Sequence, residues 1–482
     1  MTFSNRRKTS LFSVVRQSNS RRRSPQENRQ DLQQLLALIL ITAGLVLGGG
    51  GTTNPHTEVL LEGLVALLML GWSLLPGTAS RPGRGLLIAV TALVVAIPLA
   101  QLIPLPPAWW HALPGRETEI AALSLIGRKD AWMPWSVAPP QTLAVALALV
   151  PPLAAMWFVA ALDERGRTAT LRAVVALGFL SVVLGALQVA APPGRAPTFY
   201  DYYHQGFVIG FQANKNAEVD VLLIALLGAA ALYAPYLARK PRAVAAEAVS
   251  PAMIAFASVV LVLLAGAVLT GSRGGILMLP AACLGAFAIA FSRSARSRTT
   301  LTAIAAGALS LGAAAVPALR DNAMVARVMA RFTGERDFRF ELWTDTLYAV
   351  HQTWPFGSGM GTFVQVMTPA ERLEVLDETV PMRAHNDFLE LLLESGICGP
   401  IVVGLLGVVL AVMAIKAWKS GNVPRQNILF AVATFLVIAV HSLVDYPMRS
   451  MSLAILVGVG AGLLVPFAPG RPEFAANVPG TV

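Results

Sequence analysis

The chain has 482 residues, of which 55% are hydrophobic and only 13% are charged. These proportions exclude an ordinary soluble domain and are typical of a membrane protein with many helices. The formal net charge of +10 does not indicate nucleic-acid binding, because the Lys and Arg residues cluster in the connections on one side of the predicted membrane. The predicted fold class is all-α, a polytopic membrane helix bundle.

The chain begins with a basic, polar tail at residues 1–30, which we expect to be disordered and cytoplasmic. About twelve apolar segments follow that are long enough to cross a hydrocarbon core of about 30 Å. They are predicted at residues 32–47, 59–75, 85–103, 141–162, 171–191, 217–238, 251–270, 274–291, 300–319, 398–417, 427–445 and 450–468. The domain prediction is therefore helices one to nine within 31–319, a large loop at 320–397 with short helices of its own, helices ten to twelve within 398–470, and a tail at 471–482.

The orientation follows from the basic residues of alternate connections, which are retained on the cytoplasmic side of a membrane. Such residues include Arg84, Arg165, Arg167, Lys416 and Lys419. This pattern predicts cytoplasmic N- and C-termini in a bacterial inner membrane. The connections at 104–140, 192–216, 271–273, 320–397 and 441–449 are then periplasmic.

His385 is the candidate catalytic residue of the large loop. It opens the stretch HNDFLELLLE, and its imidazole can accept a hydroxyl proton near neutral pH. Asn386 is predicted to cap the helix that follows, and Arg383 and Asn386 are candidate substrate-binding residues. No nucleophilic Ser or Cys and no second histidine at metal-ligand spacing accompanies His385, which favours direct transfer without a covalent enzyme intermediate, a metal or a cofactor.

Three cations are candidate substrate-binding residues on the same predicted face. Arg273 lies in GSRGG at the start of the eighth segment, where free N–H groups and a guanidinium can both meet a phosphate. An interface arginine that extends toward water is the alternative. Lys215 lies between Asn214 and Asn216, where phosphate or sugar hydroxyls could bind, although a helix cap also explains an asparagine. Arg339 is the candidate for a second phosphate contact.

The turn HSLVDYPMR supplies the candidate substrate-binding residues His441, Asp445 and Arg449. Ionisable residues at membrane depth are costly, which indicates function or pairing. A structural ion pair between Asp445 and Arg449 is the alternative. The stretch GSGMG at 357–361 is predicted to be a tight turn, because no βαβ pattern surrounds it.

These motifs together resemble the O-antigen ligase/polymerase superfamily of bacterial membrane glycosyltransferases. The resemblance rests on the family's spaced pattern at His385, Asn386, Gly396 and Gly399, on SRG at 272–274, on HSLVDYP, on PFGSGMGTF and on the NKN stretch. It implies a glycan donor on undecaprenyl diphosphate, which Arg273 would bind with help from Lys215, and it implies that His385 activates the acceptor hydroxyl. Lysine at 215 departs from the arginine that the family often has there.

The resemblance leaves the acceptor open. A ligase transfers the glycan to lipid A–core, whereas a polymerase transfers it to a second lipid-linked glycan during O-antigen or exopolysaccharide biosynthesis. A transporter of lipid-linked oligosaccharides is the alternative from another class, although the chain lacks the matched halves of such carriers. The expected partners are these lipid-linked substrates and membrane lipid, with no nucleic acid.

Overall fold

The computed structural model of the protein describes residues 25–50, 55–75, 83–192, 194–237, 251–292, 323–330, 332, 337–375 and 380–467. Nearly all of the regular structure in these ranges is helical, which confirms the all-α prediction. Most of the predicted basic tail, the predicted ninth segment at 300–319 and the C-terminal tail at 471–482 lie outside the described residues.

The described residues form eighteen α-helices. In chain order they are α1 (Pro25–Leu47), α2 (Pro55–Ser73), α3 (Arg84–Gln101), α4 (Pro107–Trp110), α5 (Glu117–Leu125), α6 (Pro139–Ala148), α7 (Val150–Ala161), α8 (Glu164–Ala190), α9 (Lys215–Leu237), α10 (Pro251–Leu269), α11 (Arg273–Ala290), α12 (Ala323–Ala330), α13 (Arg339–Thr353), α14 (Phe363–Met367), α15 (Asp387–Ser395), α16 (Cys398–Ser420), α17 (Arg425–His441) and α18 (Met451–Leu463). Two short strands, β1 (Pro104–Leu105) and β2 (Met133–Pro134), pair antiparallel.

Within the described ranges, seven helical segments are long and apolar enough to cross a membrane. Three further apolar helices are shorter, between 10 and 17 residues. Ten of the twelve predicted apolar segments each coincide with one helix, and an eleventh is divided between two. The chain is therefore a polytopic helix bundle.

Two predicted apolar segments have other helix boundaries in the structure than the sequence predicted. The segment predicted at 141–162 is divided between α6 and α7, because Pro151 and Pro152 lack the N–H groups that a continuous helix would need and sit in the first turn of α7 instead. The segment predicted at 427–445 ends earlier, since α17 stops at His441. Residues 442–450 are thereby free to form a turn.

The helix α9 is the centre of the bundle. It is buried on every face over most of its length and packs against α8, α10, α11 and α17. From Val221 onward α9 is apolar on all sides, as expected of an interior helix, and its alanines and Gly228 let neighbours approach closely. The N-terminus of α9 at Lys215 is consequently held at a fixed place in the structure.

The last helix, α18, is the second interior helix and packs tightly on α7. Gly458 and Gly462, four residues apart, face the backbone of α7: an added Cβ would lie 2.2 Å from the Pro152 carbonyl oxygen and 2.6 Å from that of Met156. Only glycine permits this approach, which is how small residues join helices in membranes. The turn before α18 is therefore anchored as well.

The connections that the charge pattern assigns to one face contact one another at one end of the bundle. The 104–140 connection reaches the 358–360 turn, where Val137 donates to the Ser358 carbonyl oxygen at 2.8 Å. Tyr200 accepts a hydrogen bond from Gly49, and Asn214 donates to Tyr446, both at 2.9 Å. We call this end of the bundle, where these connections and their polar residues lie, the polar end.

The opposite end is closed by the guanidinium of Arg167. The residue is 1% exposed and donates to the carbonyl oxygens of Ala160, Leu162, Leu463 and Val465 at 2.6–3.3 Å. These are last-turn carbonyls of α7 and α18, or lie just beyond, and they have no partner within their own helices. A single arginine thereby joins the ends of two packed helices.

We predict that Arg167→Met lowers the free energy of unfolding by about 1–3 kcal/mol, because buried carbonyl groups lose their donor. The measurement is thermal unfolding of the purified protein in detergent. Arg165→Met is the matched control, since Arg165 is 78% exposed and should tolerate the change. Equal melting temperatures for the two variants would contradict this account of Arg167.

Candidate functional site

The candidate catalytic histidine is paired with a buried carboxylate. His385 Nδ1 lies 3.1 Å from Asp445 Oδ1, and the side chains are 22% and 3% exposed. An ionised carboxylate can only accept hydrogen bonds, so Nδ1 carries the proton. The Nε2 atom of His385 is then left with a free lone pair, as a general base requires.

The backbone at His385 adopts a left-handed conformation with φ of 50°, alone among the non-glycine residues that the structure describes. Such a conformation costs about 1–3 kcal/mol and persists only when the surroundings enforce it. Here the neighbours are fixed on both sides. Ala384 donates to Glu390 and accepts from Trp343, while Asp387 N–H donates to the carbonyl oxygens of Ser442 and Asp445.

Asn386 caps α15, as predicted, because its Oδ1 accepts the N–H of Leu389 at 3.0 Å. Its amide nitrogen also donates to the Leu443 carbonyl oxygen at 2.9 Å. The residue therefore ties the start of α15 to the turn that carries Asp445. Whether Asn386 also contacts substrate stays a prediction.

The arginines 449 and 383 hold α15 in place. Arg449 contacts Glu394 at 2.7 Å and Glu390 at 3.2 Å, and Arg383 contacts Glu390 at 3.1 Å. Arg449 is thus paired with carboxylates of α15, and the alternative of an ion pair with Asp445 was wrong, because the chain turns between the two residues. A substrate contact of either arginine stays a prediction.

The cations Arg273 and Arg339 meet at one carboxylate. Arg273 lies 3.1 Å from Asp337 Oδ2, and the Nε atom of Arg339 lies 3.9 Å from Asp337 Oδ1. Arg339 also reaches within 3.9 Å of Asp445 Oδ2. A continuous chain of charges therefore runs from Arg273 through Asp337, Arg339 and Asp445 to His385.

The two glycines after Arg273 serve close packing of α11. An added Cβ on Gly275 would lie 2.3 Å from Val219 of α9, and one on Gly274 would lie 2.8 Å from His441 of α17. The sequence predicted free N–H groups beside Arg273, but the Gly275 N–H donates to the Ser272 hydroxyl, and the Cβ positions of both glycines face neighbouring helices. Arg273 itself is 27% exposed and keeps several N–H donors for a ligand.

Lys215 lies at the edge of the group of charged residues formed by Arg273, Arg339 and their carboxylate partners. Its ammonium nitrogen is 4.1 Å from the centroid of the Phe207 ring, a cation–π contact. An added Cβ on Gly271 would lie 2.5 Å from the same ring, so Phe207 packs between Lys215 and the turn that carries Arg273. Asn214 precedes α9, and its Oδ1 accepts the N–H of Asn216 at 2.8 Å, as the cap alternative proposed.

The rings of Tyr446 and Phe338 flank His385. Their centroids lie 4.9 Å and 5.3 Å from that of the imidazole, both edge to face. The Tyr446 hydroxyl accepts a hydrogen bond from Asn214. These contacts hold the plane of the imidazole and join the base to the start of α9.

His441 forms a second, buried pair with Asp220. Its Nδ1 lies 2.8 Å from Oδ1 and 2.7 Å from Oδ2 of Asp220. Asp220 belongs to α9, the central helix. The side chain of His441 is only 2% exposed, whereas that of His385 is 22% exposed.

The glycine-rich turn at 357–361 packs against the end of α15. Gly357, Gly359 and Gly361 all have positive φ, which confirms the predicted tight turn. Ser358 and Gly359 donate to the carbonyl oxygens of Leu393 and Glu394 at 3.1 Å and 2.8 Å. The stretches PFGSGMG and HND…G thus form one packed unit.

Two buried carboxyl groups near the site have pKa values that are shifted in opposite directions. Burial opposes ionisation of Asp445, but its hydrogen bond with His385 and the nearby positive charge hold its pKa below the usual range. Burial raises the pKa of Asp387 to about 7, although Arg449 acts in the opposite direction. Asp445 is therefore ionised at neutral pH and can orient His385.

The structure brings His385, Asp445, Arg339 and Arg273 together, with Lys215 at the edge. Reasoning from sequence missed Asp337, Phe338, Tyr446 and Asp220. Only Asp220 had a signal, because it is an acid inside a predicted apolar segment. The pairing of Asp337 with two arginines depends on how the chain folds back.

Comparison with known proteins supports the resemblance. The profile of the O-antigen ligase family matches residues 258–404, which include Arg273, Arg339 and His385. Among solved structures, a chain of a peptidoglycan synthase complex, studied for its coordination of polymerization and crosslinking, is 20% identical over 72% of this chain and 94% of that chain, with a TM-score of 0.38. No curated protein matches the chain.

Fold and site define a helical membrane protein with a histidine–carboxylate pair and arginines at one end of the bundle. The family match confirms the predicted resemblance to the O-antigen ligase/polymerase superfamily. It supports a ligase- or polymerase-like glycosyltransferase in general.

We predict that Asp387→Asn reduces the pH dependence of stability. The pKa of Asp387 is about 7 in the folded protein and about 3.9 for an unperturbed Asp. The folded state therefore binds this proton more tightly, so its stabilising contribution is complete below pH ~4 and is lost as the pH rises through ~7. Asparagine cannot titrate. Between pH ~5 and ~8 the melting temperature of the variant should fall less than that of the wild type.

The matched control is Asp201→Asn, because Asp201 is exposed. Its melting profile should follow the wild type. A wild-type slope in Asp387→Asn would show that this carboxyl group does not titrate in the range.

Proposed function

We propose that the protein is an inner-membrane glycosyltransferase that moves a glycan from undecaprenyl diphosphate to an acceptor hydroxyl at the periplasmic face. The favoured acceptor is lipid A–core, which makes the protein O-antigen ligase-like. The single observation that carries the proposal is the contact of Asp445 with His385 beside the linked arginines 273 and 339.

The donor side is supported by fixed positive charge. A diphosphate needs cations, and a guanidinium binds phosphate oxygens in pairs of hydrogen bonds. Arg273 and Arg339 converge on Asp337, so both can face one bound group. Lys215 would assist from the edge as a point charge without the fork of an arginine.

The acceptor side is supported by the oriented imidazole. In the proposed step, His385 Nε2 takes the hydroxyl proton while the acceptor oxygen bonds to the anomeric carbon. The bond from that carbon to the diphosphate breaks, and undecaprenyl diphosphate leaves with the electron pair. Asp445 stabilises the imidazolium that forms. We propose that this transfer is direct and independent of metal.

The same chemistry would serve a polymerase, whose acceptor is a second lipid-linked glycan in O-antigen or exopolysaccharide biosynthesis. Ligase and polymerase activity are distinguished with purified protein in proteoliposomes that contain labelled lipid-linked glycan. Each acceptor is supplied in turn. A ligase labels lipid A–core, and a polymerase makes longer lipid-linked chains. Movement of donor across the bilayer without product would favour a transporter.

The membrane arrangement belongs to the same proposal. We propose about twelve membrane-spanning helices with the polar end in the periplasm, both termini in the cytoplasm, and the loop at 320–397 carrying catalytic elements. The grouping of the predicted periplasmic connections at one end supports this arrangement. Cysteine labelling of exposed positions such as Tyr202 in intact cells would test it.

We predict that His385→Ala lowers glycan transfer by about 10²–10⁴-fold, since the general base is lost. Transfer is measured with labelled lipid-linked glycan and lipid A–core in proteoliposomes that contain a metal chelator. His351→Ala is the matched control, because His351 is exposed on α13. Transfer at the wild-type rate by His385→Ala would reject the role of His385. Loss of wild-type transfer in the chelator would reject metal independence.

We also predict that Asp445→Asn impairs transfer although the side chain keeps its size. An amide can donate to Nδ1, which would place the proton on Nε2 and remove the lone pair that the base needs. The rate should fall about 10²-fold or more, with little change in the donor KM. A rise in donor KM with unchanged kcat would instead assign Asp445 to donor binding.

A further inference from the structure

The buried pair of Asp220 and His441 takes no part in the proposed proton transfer. Both side chains are at most 2% exposed. Burying an ionisable pair costs desolvation energy that the contact barely recovers, so such a pair is weak evidence for stability. Its position between the donor side and the acceptor side of the site indicates another role.

The imidazole of His441 limits how closely the first turn of α11, which carries Arg273, approaches α17. An added Cβ on Gly274 would lie 2.8 Å from Nε2 and 3.1 Å from Cδ2 of His441. The ring therefore fills the space beside the first turn of α11. Arg273 is the residue before Gly274, so its backbone position depends on this contact.

The backbone of His441 is joined to the acceptor side. Its carbonyl oxygen accepts the N–H groups of Val444 at 3.0 Å and Asp445 at 2.9 Å. Val444 also faces Gly274, at 3.5 Å from an added Cβ. The turn that carries Asp445 thus begins at His441 and rests on the same glycine.

The far side of the imidazole is held by Asp220. Both carboxylate oxygens lie within hydrogen-bond distance of Nδ1, which fixes the rotation of the ring. Asp220 sits on α9, an interior helix that is buried on nearly every face. The ring is consequently held between a rigid central helix and the start of α11.

We propose that His441, held by Asp220, is a positioning residue that fixes the separation between Arg273 and the His385–Asp445 pair. This inference rests on the proposed function. The leaving diphosphate and the attacking hydroxyl must lie on opposite sides of one carbon atom, and a displacement of about 1 Å can cost about 10²-fold in rate. A rigid spacer between the two groups would preserve that alignment.

The test is a size exchange between positions 274 and 441, measured as transfer from labelled lipid-linked glycan. Gly274→Ala adds a methyl group against the ring and should lower kcat by about tenfold or more, with a smaller change in donor KM. His441→Asn keeps an N–H donor for Asp220 but removes the outer edge of the ring. The kcat of the double variant should therefore be at least roughly threefold higher than that of Gly274→Ala alone.

The matched control is Gly275→Ala, whose methyl group meets Val219 instead of the imidazole. His441→Asn should not rescue it. If the fold loss of kcat in the double variant with Gly274→Ala equals the product of the two single losses, the proposed spacer role is wrong. It is also wrong if His441→Asn rescues Gly274→Ala and Gly275→Ala equally.

Asp220→Asn provides a second route if Gly274→Ala does not fold. It weakens the hold on His441 and should lower kcat without raising the donor KM, and an unchanged kcat would overturn the proposal. A wild type that makes no product rejects the proposed function and this inference together. A wild type that transfers, with His385→Ala inactive and no coupling between 274 and 441, rejects this inference alone.

Discussion

The carboxylate of Asp445 is the interaction on which the rest of the site depends. It accepts from His385, lies near Arg339, and belongs to the turn that starts at His441. A buried carboxylate is tolerable only when donors and positive charge surround it. Those requirements bring together the loop before α15, the start of α13 and the end of α17, which are distant in sequence.

The bundle makes this arrangement possible by fixing helix ends. α9 and α18 are interior helices whose small residues allow close packing, so their N-termini are rigid points at the polar end. Ion pairs of Arg449 with Glu390 and Glu394 then hold α15 against the turn that precedes α18. The strained backbone at His385 is enforced by contacts that arise in this way. Rigid helices thus position a site whose residues lie mostly in turns and at helix ends.

Much of this could be predicted from sequence, for identifiable reasons. Apolar length alone located most helices, because a hydrocarbon core fixes how long a segment must be. Arg273 was found because a cation beside glycines stands out in an apolar chain, and His385 because it opens a helix in the long polar loop. The family resemblance came from the order of weak motifs, and the profile match over 258–404 bears it out.

The partners of these residues could not be predicted in the same way. Arg449 lies four residues after Asp445, a spacing that suggests a pair only on a helix, and the chain is not a continuous helix there. Arg449 instead reaches Glu390 and Glu394. Asp337 and Asp220 acquire their roles through contacts 64 and 221 residues away along the chain, which no local pattern encodes.

The most direct test of the central claim is a cryo-EM structure with an undecaprenyl-diphosphate-linked glycan bound. The account predicts phosphate oxygens about 3 Å from the guanidinium of Arg273, and the anomeric carbon on the side of the site that His385 Nε2 faces. A diphosphate bound at the end of the bundle closed by Arg167, or one at the polar end with its anomeric carbon beyond the reach of an acceptor held by His385, would contradict it.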